Sequence, residues 1–285
     1  MATLFEVYKE AYSKLENPRK DEINIRILLC EINGLNSMTE FYIKKDENIR
    51  DLQRFYSNFA RFLAGEPIQY IISKADFFGS QFYVDKRVLI PRQETEEVAL
   101  YAMRKILNVF GEEPVVIADV CCGSGCIGIS LAKHLKLTTL YMSDISKDAC
   151  DVAVENLSRN SVDGYVLNGN ALEPFIKHNI KVDVIVCNPP YILIKDDVDK
   201  SVLDYEPHNA LFVDDDLGVY RAVLLNAYKV MKEKLLIVFE IGYDLQKKLI
   251  ELLAELYWDC VFTFRKDING KDRIFSVLLE SKIES

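Results

Sequence analysis

The first 65 residues carry apolar side chains at the three-to-four-residue spacing of amphipathic helices. The first apolar face consists of Leu4, Val7, Tyr8, Ala11, Tyr12 and Leu15. Asn17-Pro18 ends this face, and further stretches follow at Ile23–Ile32, Thr39–Tyr42 and Ile49–Leu63. Because no strand-like alternation interrupts them, the pattern predicts a small all-helical N-terminal domain, which we expect to span residues 1–74.

The pattern changes between Ala75 and Pro91. Aromatic and β-branched residues gather in three short runs, Phe77-Phe78, Phe82–Val84 and Val88–Ile90, and Gly79-Ser80 separates the first two. This spacing predicts a β-hairpin with a Gly-Ser turn, which forms a linker over residues 75–91. Helical spacing returns at Thr95–Asn108.

Strands and helices alternate from Pro114 onward. The predicted strands are Val115–Val120, Leu140–Ser143, Tyr165–Leu167, Val182–Cys187, Leu235–Ile241, Trp258–Phe264 and Ile274–Leu279. The predicted helices are Gly125–Lys136, Ser146–Asn160 with Ser146 as N-cap, Leu217–Lys232 and Leu245–Leu256. Such alternation predicts an α/β domain over residues 92–285, in which helices cover both faces of a mostly parallel sheet. The last two strands have no helix between them, so we expect an antiparallel hairpin at the edge.

Composition and charge narrow the function. Apolar residues make up 49% of the chain and charged residues 28%, which is the balance of a globular protein rather than a disordered one. The formal net charge is −9, and acidic and basic residues balance over the first 75 residues, so the deficit falls on the remainder. A surface of this sign disfavours nucleic-acid binding by charge alone.

The sequence shows no features of a membrane protein, a disulfide-bonded protein or a metal site. No run approaches the roughly 18 to 20 apolar residues that span a bilayer, and the N-terminus lacks the apolar centre of a signal peptide. The cysteines number seven and lie mostly in apolar or glycine-rich stretches, which favours a reducing cytoplasm over a disulfide framework. Cys122 and Cys126 lack the spacing of a zinc knuckle and the three histidines are scattered, so we expect no metal and no membrane contact.

A glycine-rich turn follows the first predicted parallel strand. Val116–Val120 runs into Cys121-Cys122-Gly123-Ser124-Gly125, and Gly128 completes a Gly-x-Gly-x-x-Gly pattern. A strand, a glycine turn and a helix start allow the backbone to approach a ligand closely, although a purely structural turn is the alternative. Asp144, at the end of the next strand, stands where a carboxylate accepts the ribose hydroxyls of an adenosine ligand; otherwise it is a helix N-terminal charge beside Ser146. The pattern predicts an adenosine-containing cofactor without specifying which one.

The strand Val182–Cys187 ends in Asn188-Pro189-Pro190-Tyr191. Two prolines fix the backbone and remove two N–H donors, which leaves carbonyl acceptors. Asn188 Oδ1 and the Pro189 carbonyl can each accept one N–H of a planar amino group while Tyr191 packs on its flat face. This arrangement suits methylation of an amide or aromatic amine, because the two acceptors orient the nitrogen lone pair without an ionised base. A turn that merely ends a strand is the alternative.

The two motifs together resemble those of class I S-adenosylmethionine-dependent methyltransferases that act on exocyclic or amide nitrogens. Further stretches resemble the HemK/PrmC family: Leu63–Tyr70, Phe77–Gly79, Leu89–Glu96, Tyr205–Leu211 and Asp267–Arg273. The resemblance implies a helical N-terminal domain for substrate docking, a hairpin linker and a Rossmann-like methyltransferase domain. It also implies methylation of the glutamine amide nitrogen (N5) in the Gly-Gly-Gln motif of class-one peptide chain release factors, with S-adenosyl-L-methionine as cofactor.

The resemblance assigns roles to particular residues. The expected cofactor-binding residues are Asp119, Cys121, Cys122, Gly123, Ser124, Gly125, Asp144, Asn170, Ala171 and Asn188. The expected catalytic and substrate-binding residues are Asn188, Pro189, Pro190 and Tyr191. Asp119 either braces the glycine loop or faces the cofactor amino group. We expect Arg273 to be structural, and Glu94, Glu96 and Glu206 either to line the site or to be ordinary loop and helix-start residues.

Several positions depart from the family pattern. Cys121-Cys122 opens the glycine loop where Gly or Cys, then Thr or Gly, is usual, and Gln93 replaces a second proline. Asn170 replaces an Asp that commonly faces the adenine amino group, and Ala171 replaces a bulky residue. Since the Asn170 side-chain oxygen can still accept a hydrogen bond, we expect weaker adenine discrimination rather than loss of binding.

Three other functions compete with this interpretation. An adenine-N6 DNA methyltransferase uses a similar loop on a flipped base, but it needs a basic surface that this chain lacks. A nicotinamide-dependent dehydrogenase fits the glycine pattern and leaves the Asn188–Tyr191 loop unexplained. A non-catalytic adaptor that binds release factors does not need that loop. We therefore expect release factors as partners and no direct contact with DNA.

Overall fold

The structure is a computed structural model that describes residues 2–193, 200–257 and 260–281. The chain divides into two compact units. One contains the chain up to Lys74 together with Lys200–Tyr205, and the other contains the rest from Ala75 onward. Within the described residues, no helix is both long and apolar enough to cross a bilayer.

The first unit is helical, as the sequence predicts. Its helices are α1 (Leu4–Tyr12), α2 (Pro18–Asn33), α3 (Met38–Lys44), α4 (Leu52–Leu63), α5 (Ile68–Ile72) and α10 (Lys200–Tyr205). The helix predicted from Ile49 begins instead at Leu52, because the Asp51 carboxylate caps it by accepting the Arg54 N–H at 2.8 Å. The sequence pattern did not reveal α5, which has only five residues.

The second unit carries the α/β pattern. Its strands are β1 (Ala75–Phe77), β2 (Ser80–Phe82), β3 (Val115–Val120), β4 (Thr138–Asp144), β5 (Tyr165–Asn168), β6 (Val182–Cys187), β7 (Ile192–Leu193), β8 (Phe212–Val213), β9 (Met231–Glu240), β10 (Val261–Lys266) and β11 (Asp272–Glu280). Its helices are α6 (Gln93–Phe110), α7 (Cys126–His134), α8 (Lys147–Arg159), α9 (Glu173–Lys177), α11 (Gly218–Val230) and α12 (Gln246–Leu256), with a 3-10 turn at His208–Ala210.

The main sheet has the strand order β10-β11-β9-β6-β3-β4-β5. The strands from β9 to β5 are parallel, and β11 runs antiparallel to both β9 and β10, so the predicted parallel sheet with an antiparallel edge is confirmed. The chain moves outward from β3 to β5 and then returns to place β6 on the other side of β3. Ligands bind beside such a switch in direction, at the carboxyl ends of the strands.

The register of the central strands aligns their carboxyl ends. Val120 of β3 pairs with Ser143 of β4 on one side and with Cys187 of β6 on the other. The residues that follow these three positions are Cys121, Asp144 and Asn188. The glycine loop, the predicted ribose carboxylate and the Asn-Pro-Pro-Tyr loop therefore begin side by side.

Helices cover both faces of the sheet, and β6 shows how the core is divided. Val184 and Val186 pack with α6, α7 and α8 on one face, while Ile185 and Cys187 pack with α9, α11 and α12 on the other. All six residues of β6 are buried. A strand covered on both faces is apolar throughout rather than alternating, which explains why its sequence is continuous in apolar residues apart from Asp183.

The hairpin differs in detail from the sequence prediction. Phe77 pairs with Ser80, so the turn is Phe78-Gly79 rather than Gly79-Ser80. Both turn residues have positive φ, 50° and 73°, which is the geometry that suits a two-residue hairpin turn. The predicted strand at Val88–Ile90 is absent, and the Ile90 N–H donates instead to the Glu206 carboxylate at 3.2 Å.

Other differences lie at element ends and in short elements. β9 begins at Met231 rather than Leu235, because Met231 already pairs with Val182 of β6. The residue Trp258, at which a strand was predicted to start, lies outside the described residues, and β10 begins at Val261. The sequence pattern missed α9 and the two-residue parallel pair of β7 with β8.

Candidate active site

A pocket of about 300 Å³ opens at the carboxyl ends of β3, β4 and β6. Many of the residues predicted for the site form its wall: Cys121, Cys122, Gly123, Ser124, Asp144, Asn170, Ala171, Asn188 and Pro190. The other predicted residues, Asp119, Gly125, Pro189 and Tyr191, are not among the described residues that line it. The pocket therefore brings the glycine loop, the β4 carboxylate and the first residue of the Asn-Pro-Pro-Tyr loop to one cavity.

The glycine loop reverses direction through three residues with positive φ: Cys121 at 58°, Gly123 at 52° and Gly125 at 78°. A Cβ on Gly125 would lie 3.0 Å from Met142 Sδ, and the φ of 78° also favours glycine, so a side chain at this position would be strained. A Cβ on Gly123 would meet no atom within 4 Å. Because Gly123 lines the pocket, its bare backbone leaves space where a ligand can approach the loop closely.

Asp119 joins the end of β3 to the start of α7. Its Oδ2 accepts the Gly128 N–H at 2.8 Å, and a Cβ on Gly128 would lie 2.9 Å from that same oxygen. The Asp119 side chain is buried, its Oδ1 has no hydrogen-bond partner among the described residues, and burial raises its pKa to about 7. This geometry matches the bracing role more closely than a position facing the cofactor.

Asp144 clamps the glycine loop from the end of β4. Its Oδ2 accepts the Gly123 N–H at 2.9 Å and its Oδ1 accepts the Ser146 N–H at 2.9 Å. Ser146 in turn caps α8 as predicted, because its hydroxyl oxygen accepts the Ala149 N–H at 3.2 Å. Burial raises the pKa of Asp144, although the N–H donors oppose the shift. The carboxylate faces the pocket and retains lone pairs for ligand hydroxyl groups.

The pocket residues fit the cofactor that the sequence motifs imply. An adenosine ligand needs a carboxylate for its ribose hydroxyls, an apolar wall for its base and open backbone for its polar tail. Asp144 supplies the carboxylate, Ile145 and Ala171 supply apolar wall, and Gly123 supplies the open backbone. Asn170 adds a side-chain amide to the same wall.

Asn188, the residue directly after the carboxyl end of β6, forms a hydrogen bond that the sequence did not predict. Its Nδ2 donates to the hydroxyl oxygen of Thr95, at the start of α6, over 3.4 Å. Thr95 also lines the pocket and is buried. Because the amide nitrogen is committed to Thr95, Oδ1 is the end of the Asn188 amide that can accept from a ligand.

Tyr191 closes the loop from its other end. Its hydroxyl accepts from Arg273 Nη1 at 3.1 Å and donates to Glu240 Oε1 at 3.4 Å. A Cβ on Gly242 would lie 3.2 Å from Tyr191 Cδ2, so the ring lies close against that glycine. Burial raises the pKa of Tyr191 well above its usual value, so the hydroxyl stays protonated. Arg273, expected to be structural, thus contacts the Asn-Pro-Pro-Tyr loop directly.

Glu240 is the acidic residue that sequence reasoning missed. It is 3% exposed, its Oε2 accepts the Thr95 hydroxyl at 2.7 Å, and its backbone carbonyl accepts the Tyr220 hydroxyl at 2.9 Å. Burial raises the pKa of Glu240 to about 7. A signal was present, since Glu240 is the one charged residue inside the apolar run Leu235–Ile241. A charge in a buried strand marks a place where a partner is required.

Glu206 contacts a residue of the pocket wall and is not itself among the described residues that line the pocket. It is 4% exposed and forms an ion pair with Arg92, which lines the pocket. Neither Glu94 nor Glu96 is among the described pocket residues, and Glu96 accepts the Phe78 N–H at 2.9 Å at the hairpin turn.

The sequence matches two family models and several known proteins. Residues 6–72 match the model of the PrmC N-terminal domain, and residues 102–204 match that of the Methyltransferase small domain. The chain is 36% identical to the release factor glutamine methyltransferase of Bacillus subtilis (strain 168), over 98% of this chain and 99% of that protein. It is 40% identical to the protein of the same name from Flavobacterium psychrophilum, over 74% of this chain and 75% of that one.

A similar fold also occurs among solved structures. The catalytic domain of hMettl16, solved in complex with the MAT2A 3'UTR hairpin 6, matches with a TM-score of 0.54 and 13% identity, over 71% of this chain and 76% of that one. At this identity the likeness concerns the fold alone.

Proposed function

We propose that this chain, which belongs to the release factor glutamine methyltransferase family, methylates the side-chain amide nitrogen of the glutamine in the Gly-Gly-Gln motif of class-one peptide chain release factors. The observation that carries the proposal is the position of Asn188. It lines the same pocket as the glycine loop and Asp144, with its amide nitrogen turned to Thr95. An amide acceptor beside a cofactor pocket is what the orientation of a substrate amide requires.

The cofactor that we propose is S-adenosyl-L-methionine. Asp144, Asn170 and the backbone at Gly123 are the residues that would hold it, with Cys121, Cys122, Ser124 and Ala171 in the same wall. When bound, it supplies an electrophilic methyl group on a sulfonium sulfur.

The chain's own contribution to the reaction is orientation. Asn188 Oδ1 and the Pro189 carbonyl accept the two N–H groups of the glutamine amide, which turns the nitrogen lone pair toward the methyl group. Both acceptors also stabilise the positive charge that develops on the nitrogen, which becomes neutral again when it releases one N–H proton to solvent. Pro189 and Pro190 donate no N–H, so this part of the backbone presents acceptors only. Tyr191 holds the far end of the loop through Arg273 and Glu240.

We assign the remaining parts of the chain as follows. Residues 1–74 serve as the docking domain for the folded release factor, residues 75–91 form the linker, and residues 92–285 form the methyltransferase domain. The substrate takes part in translation, so we place the reaction in the cytoplasm. The formal charge of −9 supports a protein acceptor rather than a duplex.

Transfer of labelled methyl groups to purified release factor tests the proposal. The control acceptors are the same factor with the motif glutamine replaced by alanine, and duplex DNA. We expect label on the wild-type factor alone. Label on the DNA would favour the adenine-N6 alternative, and a chain that binds release factor but transfers no label would be an adaptor.

A further inference from the structure

A relay of hydrogen bonds connects a buried carboxylate to the Asn188 amide. Glu240 Oε2 accepts the Thr95 hydroxyl at 2.7 Å, and Thr95 Oγ1 accepts Asn188 Nδ2 at 3.4 Å. Thr95 is 2% exposed and Glu240 is 3% exposed. Neither residue has been assigned a contact with the substrate or the cofactor.

The relay has a fixed direction because of what each group can donate. Both carboxyl oxygens of Glu240 accept hydrogen bonds, Oε1 from the Tyr191 hydroxyl and Oε2 from the Thr95 hydroxyl, so the single Thr95 proton is committed to Glu240. The remaining lone pairs of Thr95 Oγ1 can then be met only by a donor. Of the two ends of the Asn188 amide, only the nitrogen donates, so the oxygen must point away from Thr95.

Glu240 also holds the opposite end of the loop. Its Oε1 lies 3.4 Å from the Tyr191 hydroxyl and 3.9 Å from Arg273 Nη1, and Arg273 Nε lies 3.2 Å from Asp267 Oδ2. Asn188 and Tyr191 are the first and last residues of the Asn-Pro-Pro-Tyr loop. The buried side chain of Glu240 therefore contacts both ends of the loop, through Thr95 to Asn188 and directly to Tyr191.

We propose that Thr95 and Glu240 are positioning residues, which fix the Asn188 amide with its oxygen toward the substrate nitrogen. This inference rests on the proposed function for its kinetic consequence, while the orientation of the amide can be measured without a substrate. If Thr95 were replaced by a residue without a hydroxyl group, the Asn188 amide would lose the hydrogen bond that fixes its orientation. The amide would then populate both orientations, with either its oxygen or its nitrogen toward the substrate.

Paired substitutions at Thr95 separate positioning from packing. Thr95→Val keeps the shape and removes the hydroxyl group, whereas Thr95→Ser keeps the hydroxyl group and removes a methyl group. We expect Thr95→Val to lower kcat about 10- to 100-fold, with the KM for release factor and the affinity for S-adenosylmethionine changed less than about threefold. Thr95→Ser should retain kcat within about threefold of the wild type.

Ser276→Ala is the matched control. Its hydroxyl group lies 2.8 Å from the Tyr101 hydroxyl, so this change also breaks a hydroxyl hydrogen bond between α6 and the sheet, and Ser276 is not among the described pocket residues. We expect it to leave kcat unchanged.

The side-chain amide resonances of Asn188 in the 15N spectrum of the full chain provide the second readout. Thr95→Val should shift or broaden them, and Thr95→Ser should not. Wild-type kcat in Thr95→Val would overturn the inference, as would equal losses in Val and Ser or unchanged Asn188 resonances in Thr95→Val. If the wild-type chain failed to methylate release factor, the proposed function would fall, and the resonances would still decide the orientation.

Discussion

Asn188 is the residue on which the proposed chemistry depends most directly. Replacing it with alanine removes one of two acceptors for the glutamine amide, and that acceptor gains value as positive charge develops on the nitrogen. We expect Asn188→Ala to lower kcat by on the order of 10² to 10³, as for loss of a single preorganised polar group. Steady-state kinetics with release factor, alongside calorimetric titration with S-adenosylmethionine, separates this loss from loss of cofactor binding.

Tyr191→Phe is the companion variant. It keeps the ring against Gly242 and removes the hydroxyl that contacts Arg273 and Glu240. We expect a milder loss of kcat than in Asn188→Ala. An Asn188→Ala enzyme that works at nearly the wild-type rate would contradict the scheme.

Asp144 couples loop structure to cofactor binding. Because its carboxylate accepts from both Gly123 and Ser146, Asp144→Ala should disorder the wall as well as remove the ribose contact. We expect S-adenosylmethionine binding to weaken by about 1.5–3 kcal/mol, the range for hydrogen bonds to a charged group. Isothermal titration of wild type and variant, with NADH as the comparison ligand, measures this. Tight NADH binding without a response to S-adenosylmethionine would point to a dehydrogenase.

Asp119 makes stability depend on pH. Burial raises its pKa from 3.8 to about 7, so the folded chain holds this proton where the unfolded chain has lost it. Stability from this group is complete below about pH 4 and is lost as the pH rises toward 7. The free energy of unfolding of wild type, relative to Asp119→Asn, should therefore fall by up to about 1.4 kcal/mol per pH unit across that window.

Urea denaturation of both proteins between pH 5 and 8 measures this difference. Other titrating groups, including Glu240, are present in both proteins, so their contributions cancel to first order. Parallel stability curves would show that Asp119 is ionised in the folded state.

At the level of the elements, Gly128 sets how closely α7 approaches β3. A Cβ there would lie 2.9 Å from both Asp119 Cβ and Oδ2 and 3.0 Å from Leu140 Cδ1. We expect Gly128→Ala to destabilise the fold by about 1–3 kcal/mol, the usual range for overpacking. Gly218→Ala is the control, since its Cβ would meet only ordinary contacts at 3.8 Å or more at the start of α11. Thermal unfolding of both variants should separate them clearly; equal stabilities would contradict the packing argument.

Elements with a strong local pattern could be predicted from the sequence, and those held by distant partners could not. The buried strands β3 and β6 have the bounds that their apolar runs predict. The hairpin turn was misplaced by one residue because Phe78 adopts a positive φ that a phenylalanine seldom takes. The helices α5 and α9 have only five residues each, which is too short for the helical spacing of apolar residues to be recognised in the sequence.

The same distinction applies to the site. Contiguous motifs predicted the glycine loop and the Asn-Pro-Pro-Tyr loop, because each lies within a few residues of a strand end. The roles of Thr95 and Glu240 could not be predicted, because their contact joins positions 145 residues apart. The contact of Arg273 with Tyr191 was not predicted for the same reason, since it spans 82 residues.

For the whole molecule, the proposed docking role of the first unit has a kinetic consequence. A short Gly-Gly-Gln peptide presents the target amide alone, whereas a folded release factor also engages surface remote from the reaction. We expect kcat/KM to be on the order of 10²-fold higher for the folded factor, which corresponds to a pair of modest hot-spot contacts. Competition between the two acceptors for labelled methyl groups measures the ratio. Equal values would mean that the first unit serves another purpose.

The first unit includes a helix that the chain supplies late. α10 belongs to this unit, and the Tyr205 hydroxyl at its end donates to the Ala64 carbonyl at 3.1 Å. A ribosome adding about 5–20 residues per second delivers Tyr205 on the order of ten seconds after Lys74. The helices α1 to α5 are therefore synthesised before α10, the last helix of their unit, and the residues of β1 to β7 are synthesised in between. The part of the protein that is made first is completed only when synthesis is well past its midpoint.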